Sequence, residues 1–167
     1  MATAESEEVP FRAEKALCEA AYGRSRRVFA FRRPILEGMT PASIDPLAAA
    51  QLSESERQTV ARFTARLGEV LGNDLRALWL FGSRARGEAH SESDIDLLVI
   101  AEGGRARHGR IAGDLGEQVA LAEGESPFAY SVHVHDPEWL RGRREIESFF
   151  IQEVDRDKIV LAGSALD

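Results

Sequence analysis

The chain has 167 residues, 44% of them hydrophobic, and a formal net charge of −7. That suits one domain able to bury a core, and it argues against nucleic acid as a direct substrate held by bulk charge. A single cysteine, Cys18, excludes an internal disulfide, and no apolar run approaches the roughly 20 residues that span a bilayer.

The N-terminal MATAESEEVPF carries acid and no apolar core segment, so it does not read as a secretory signal and a cytoplasmic protein is expected. Residues 1–52 read as an N-terminal extension of unknown role, and 53–167 as the domain. Phe11 to Tyr22 has the spacing of a short helix. Arg24, Arg26, Arg27, Arg32 and Arg33 then surround an apolar Val28-Phe29-Ala30-Phe31, and Pro34, Pro41 and Pro46 interrupt any regular element. This basic segment reads as a solvated loop or as a contact for nucleic acid, a protein partner or an anionic ligand.

Ser53 with Glu56 forms a capping-box pattern. Val60, Phe63, Leu67, Val70 and Leu71 follow at helical spacing, and Gly72-Asn73 marks a stop. Leu75 to Phe81 is a short apolar run bounded by turn residues, which predicts a buried strand with Trp79 in the core. Gly82 to Gly87 reads as a turn with one helical turn, and Ile95 to Ile100 as a second strand. Gly103-Gly104 is a loop before a helix from about 106 to 122, weakened by Gly113 and Gly116. His90 and His108 are placed in polar loops. Phe128 to His135 alternates as a third strand. Pro137 opens a helix reaching about Val154, with Asp136 as its cap, and Ile159 to Leu161 makes a short last strand. The order α-β-turn-β-α-β-α-β predicts an α/β (α+β) domain: a small mixed sheet with helices on one face and an open site on the other.

The chemistry concentrates in FGSRARGEAHSESDIDLLV, residues 81–99. Asp94 and Asp96 lie two apart, so on a strand both carboxylates face one way, with Cα atoms about 6.6 Å apart. Such a pair repels unless a cation sits between its members, and hard oxygen ligands suit Mg²⁺, which completes its shell with waters and substrate phosphates. Gly82 and Ser83 follow the first strand directly. Glycine allows a phosphate close to the backbone, amide groups of the turn can point at it, and Ser83 adds a hydroxyl. Arg84 and Arg86 are placed to neutralise phosphate charge, and Glu88 is placed to pair with Arg86. A D-x-D or a G-S-R alone is weak evidence; ten residues between Ser83 and Asp94, with a strand before and after, make the combination strong.

At these residues the chain resembles the nucleotidyltransferase superfamily that includes DNA polymerase beta, and within it the minimal nucleotidyltransferases (MNT). Gly82, Ser83, Arg84, Ala85, Arg86, Gly87, Ser93, Asp94, Asp96 and Leu97 match that signature. The resemblance implies a polymerase-beta-like fold over about residues 55–162. It implies Mg²⁺ on Asp94 and Asp96, and β/γ phosphates of ATP held by Gly82 and Ser83. The reaction it implies is transfer of a nucleotidyl group, commonly AMP, to a hydroxyl with loss of pyrophosphate. Many members of this branch are antitoxins paired with a HEPN-type ribonuclease toxin, and some adenylylate a tyrosine on it; relatives modify aminoglycosides.

Active members carry a third carboxylate on a later strand. Here that strand reads FAYSVHVHD, with Ser131, His133 and His135 on the site-facing side. Imidazole is a poorer Mg²⁺ ligand than carboxylate. His133 reads either as a general base toward the acceptor hydroxyl or as a polar residue on a half-exposed strand. Three functions follow: a transferase acting on a protein partner, an antitoxin that inhibits a HEPN-type toxin by binding alone, and an enzyme modifying a small aminoglycoside-like molecule.

Overall fold

In a computed structural model the described residues are 45–166. The predicted helix at Phe11–Tyr22 and the five-arginine segment lie outside them. The elements run α1 (Glu54–Leu71), β1 (Leu75–Phe81), α2 (Gly82–Arg86), β2 (Ile95–Ala101), α3 (Gly104–Ala122), β3 (Tyr130–His135), α4 (Pro137–Glu145), α5 (Phe149–Asp157) and β4 (Ile159–Gly163). The strands form one sheet in the order β3-β2-β1-β4. β1 is antiparallel to both β2 and β4, and β2 runs parallel to β3, so the sheet is mixed.

The capping box forms as the sequence predicts. The Ser53 hydroxyl accepts from Glu56 N, and Glu56 accepts from Ser53 N at 2.6 Å. Val60, Phe63, Leu67 and Leu71 bury the inner stripe of α1, whereas Val70, expected with them, is 38% exposed. The chain before the cap belongs to the same core. Leu47 and Ala50 are buried against α1, and Arg57 donates to both of their carbonyls.

Helices cover both faces of the sheet, not one. α1 and α3 pack on the side of Leu78, Leu80, Leu97 and Val99. On the other side, Leu140 of α4 and Ile151 and Val154 of α5 cover Ala77, Trp79, Leu98 and Ile100. The opening on that second side is confined to the beginning of β2, where Asp94 is exposed and Asp96 half-buried. Trp79 is fully buried and donates its indole N–H to Ser164 O at 3.0 Å. Trp79→Ala is therefore expected to cost about 3–5 kcal/mol in a denaturant titration.

Other boundaries shift for identifiable reasons. The helix predicted from Pro137 to Val154 is two helices, broken at Ile146–Ser148, where Glu147 takes φ 51°. β3 begins at Tyr130, because Pro127–Ala129 turns as a short 3₁₀ segment. His108 is not in a loop: it sits within α3, 2% exposed, with Nε2 at 3.1 Å from Glu102 O and 3.3 Å from Asp74. Gly116 is tolerated inside α3 because a Cβ there would lie 3.3 Å from Val132 and 3.7 Å from Phe63, so the glycine lets the helix sit close to α1 and β3. Among the described residues no helix is long and apolar enough to cross a membrane.

Candidate active site

β1 delivers the Gly-Ser turn and β2 (Ile95–Ala101) delivers Asp96, whereas Asp94, expected on the same strand, lies just before it; the antiparallel register sets Phe81 opposite Asp96. Gly82 leaves the strand with φ +77°. A Cβ at this position would lie 2.7 Å from Asp96 Oδ2, so only glycine fits both the turn and the carboxylate beside it. The close approach joins the two halves of the motif at one point. Ser83 lies in the first turn of the short helix α2, where amide groups have no partner within the helix. The Ser83 hydroxyl carries no hydrogen bond to another described residue.

Burial pushes the Asp96 carboxyl above its ordinary range. The electrostatic influence of His133 across the β2–β3 pair opposes this shift, and Asp94 adds to it. An ionised Asp96 beside Asp94 thus lacks full solvation, which a cation would restore. The cradle at Gly82 and this pair of oxygen ligands fit a hard divalent ion, with the remaining ligands supplied by water and phosphate. Among the described residues no group of three or more His, Cys, Asp or Glu comes together to hold a metal.

The two arginines of the motif have protein partners. Arg84 donates to Ser93 O at 3.0 and 3.2 Å and to Gln51 O at 3.2 Å, and pairs with Glu56 at 3.0 Å. It thereby clasps the residue before Asp94 to α2 and to the start of α1. Arg86 pairs with Glu88 at 2.8 Å and with Asp157 of α5 at 2.6 Å.

Gln51 and Asp157 carry no signal in the sequence. Gln51 donates its backbone N–H to Arg84 O and accepts from Ala89 N through Oε1, so it ties α2 to the loop that follows it. The Asp157 side chain is 4% exposed and also meets Arg156 at 2.7 Å. Arg156 foremost, then Arg86, holds its carboxyl below the ordinary carboxylate range, against the opposing effect of burial. A depressed folded-state value stabilises above the unfolded value of ~3.9 and is lost as pH falls through the folded value. Thermal melts should therefore show a wild-type advantage over Asp157→Asn near neutrality that shrinks below about pH 4.

β3 (Tyr130–His135) is the strand on which the resemblance leads one to expect a third carboxylate. Its parallel register puts Ser131 beside Asp96 and His133 beside Leu98. The His133 ring lies 5.9 Å from Phe81 and 6.2 Å from Phe150, and those two rings meet edge-on at 5.6 Å. Farther along, His135 stacks on Trp139 at 3.5 Å, and burial lowers its pKa. This packing favours a space-filling part for His133 over proton transfer. His133→Asn should lower transfer less than about tenfold and leave the pH–rate profile in place, whereas loss of a general base typically costs about 10²–10⁴-fold.

A strand, a Gly-Ser turn and a returning strand that carries Asp96, with Asp94 just before it, thus come together at one end of the sheet. The model of the nucleotidyltransferase domain family matches residues 67–159, and the chain belongs to that family. Among solved structures it is similar to a toxin–antitoxin crystallised with AMP-PNP. The identity is 24%, covering 62% of this chain and 73% of that chain, with a TM-score of 0.43. It is also similar to a mutant of the toxin–antitoxin MntA-HpeT, at 22% identity over the same shares of each chain, with a TM-score of 0.42. No curated protein matches the chain.

Proposed function

We propose that this protein is an Mg²⁺-dependent nucleotidyltransferase of the antitoxin type, moving AMP from ATP to a hydroxyl on a protein partner, for which a HEPN-type toxin is the candidate. The observation that carries the reading is the approach of Gly82 to Asp96, which would set a triphosphate on the turn directly against the carboxylate pair. Gly82 and Ser83 would hold the β/γ phosphates through backbone N–H groups and the Ser83 hydroxyl. Asp94 and Asp96 would hold Mg²⁺, which offsets charge on the triphosphate and on the departing pyrophosphate. The acceptor oxygen bonds to the α-phosphorus as the bond to the β-phosphate oxygen breaks, and the hydroxyl proton passes to solvent or to a side chain beside Asp96. Arg84 acts as the clasp between the two motif halves, and Arg86 adds positive charge beside the turn while tied to α5.

A second reading, inhibition by occlusion without turnover, draws on the register that pairs Asp96 with Ser131 and not with a carboxylate. Co-expression with a HEPN-type toxin as candidate partner separates the two. On the transfer reading, Asp94→Ala leaves the complex intact in pull-down but removes protection from the toxin. Protection that persists in Asp94→Ala would exclude transfer as the protective act.

A further inference from the structure

Away from the Gly-Ser turn and the carboxylate pair, a polar cleft of about 500 Å³ runs along the outer edge of β3. Its lining is Arg105, Gly109 and Arg110 of α3 and the run Val132 to His135 of β3. Successive side chains of a strand point to opposite faces, so four consecutive residues can line one cleft only by sharing the strand's edge. β3 is an outer strand of the sheet, and its outward N–H and C=O groups face no neighbouring strand among the described residues.

The opposite wall is basic in a protein of net charge −7. Arg105 has no ion pair with a described residue. Its side chain lies over Gly109, where a Cβ would meet Arg105 Cγ at 2.8 Å. Arg110 makes only an exposed contact with Asp114 at 3.6 Å, of the kind that contributes little. Asp136, the nearest acid in sequence to the strand, is occupied as the cap of α4 through Trp139 N at 2.7 Å. Burial, foremost, lowers the pKa of His135.

We propose that this cleft seats an extended, acidic segment of the acceptor protein, added to the sheet as a fifth strand beside β3. The inference rests on the transferase reading and supplies its acceptor side. An unpaired strand edge selects a peptide, because only another backbone satisfies both its N–H and C=O groups. Two guanidinium groups beside that edge, which among the described residues meet no carboxylate but the exposed Asp114, select acidic side chains. They also disfavour a second copy of this chain, whose β3 would bring the same two arginines. Because Ser131 of β3 pairs with Asp96, a strand laid on β3 would lie two strand spacings, about 10 Å, from β2. A long hydroxyl-bearing side chain spans much of that gap toward a bound nucleotide.

The test uses the full chain and a short fluorescein-labelled peptide of alternating Glu and Tyr, read by fluorescence anisotropy at low salt. The peptide should bind wild type and the Asp94→Asn/Asp96→Asn variant alike. Arg105→Glu/Arg110→Glu should weaken it by at least about tenfold while binding of a fluorescent Mg²⁺–ATP analogue is unchanged. The same peptide with alternate backbone amides N-methylated should also lose binding. Unchanged binding by the arginine variant, equal binding of the N-methylated peptide, or equally tight binding of a single-stranded oligonucleotide of matched charge would each overturn the proposal. A peptide that binds as expected but acquires no nucleotide leaves the docking surface standing and counts against the transferase reading alone.

Discussion

Replacing Asp94 and Asp96 together with asparagine is expected to lower nucleotidyl transfer by at least about 10³-fold, which corresponds to about 4 kcal/mol of lost transition-state stabilisation. Asparagine keeps the shape of each side chain and removes the charge that would hold the cation. The same substitution has a second expected effect, on the protein without metal. Burial raises the Asp96 carboxyl above its ordinary range. A group with a raised folded-state value stabilises below its unfolded value and loses that contribution as pH rises through the folded one. At neutral pH an ionised Asp96 therefore works against folding, and Asp96→Asn should raise the metal-free melting temperature. The wild type should gain stability when Mg²⁺ and ATP are added together, and the variant should not. Site and strain thus separate in one set of melts: the variant starts higher and fails to respond.

The second large effect is expected at Gly82. Alanine there meets two penalties. The left-handed backbone at φ +77° costs a non-glycine residue about 1–2 kcal/mol. The new methyl group would also stand 2.7 Å from Asp96 Oδ2 and must push that carboxylate away. Gly124 has the same φ of +77°, but a Cβ added there would meet nothing within 4 Å. Gly124→Ala therefore carries the conformational penalty alone. Gly82→Ala should lose at least as much stability as Gly124→Ala, and only Gly82→Ala should lose transfer, by about 10²-fold, the scale expected when a reacting group is displaced by about an ångström. Equal activity in the two variants would mean that the distance between the turn and Asp96 does not matter.

Local signals carry far along this chain, and tertiary ones do not. β1 and β2 are legible because each is a short apolar run bounded by turn residues. The Gly-Ser turn is legible because glycine at 82 and 87 leaves a mark in the sequence. The cap at Ser53 depends on a residue only three positions away. The break at Ile146–Ser148 has no glycine or proline; Ser148, a residue type favoured at helix starts, is its only trace, and Glu147 accepts φ 51° without sequence warning. The helices on the second face are hidden with it, since one long helix and two short ones cover a sheet differently. The partners of Arg84 and Arg86 cannot be read either. Arg84 O is met by Gln51, 33 positions earlier, and Arg86 by Asp157, 71 positions later. Spacing points both arginines at phosphate, yet spacing does not reveal whether a guanidinium already has a carboxylate. His108 shows the same limit: its place in a polar stretch hides a buried bond to Glu102 O.

The central claim is that Asp94 and Asp96, set against the Gly82 turn, support transfer of the α-phosphate group of ATP. The most direct measurement incubates the protein, Mg²⁺ and a candidate HEPN-type toxin with ATP labelled at either the α or the γ phosphorus. Label from the α position should appear on the partner, label from the γ position should leave as pyrophosphate, and chelation or Asp94→Asn/Asp96→Asn should abolish incorporation. Incorporation of the γ label, or α-label transfer that survives loss of both carboxylates, would contradict it.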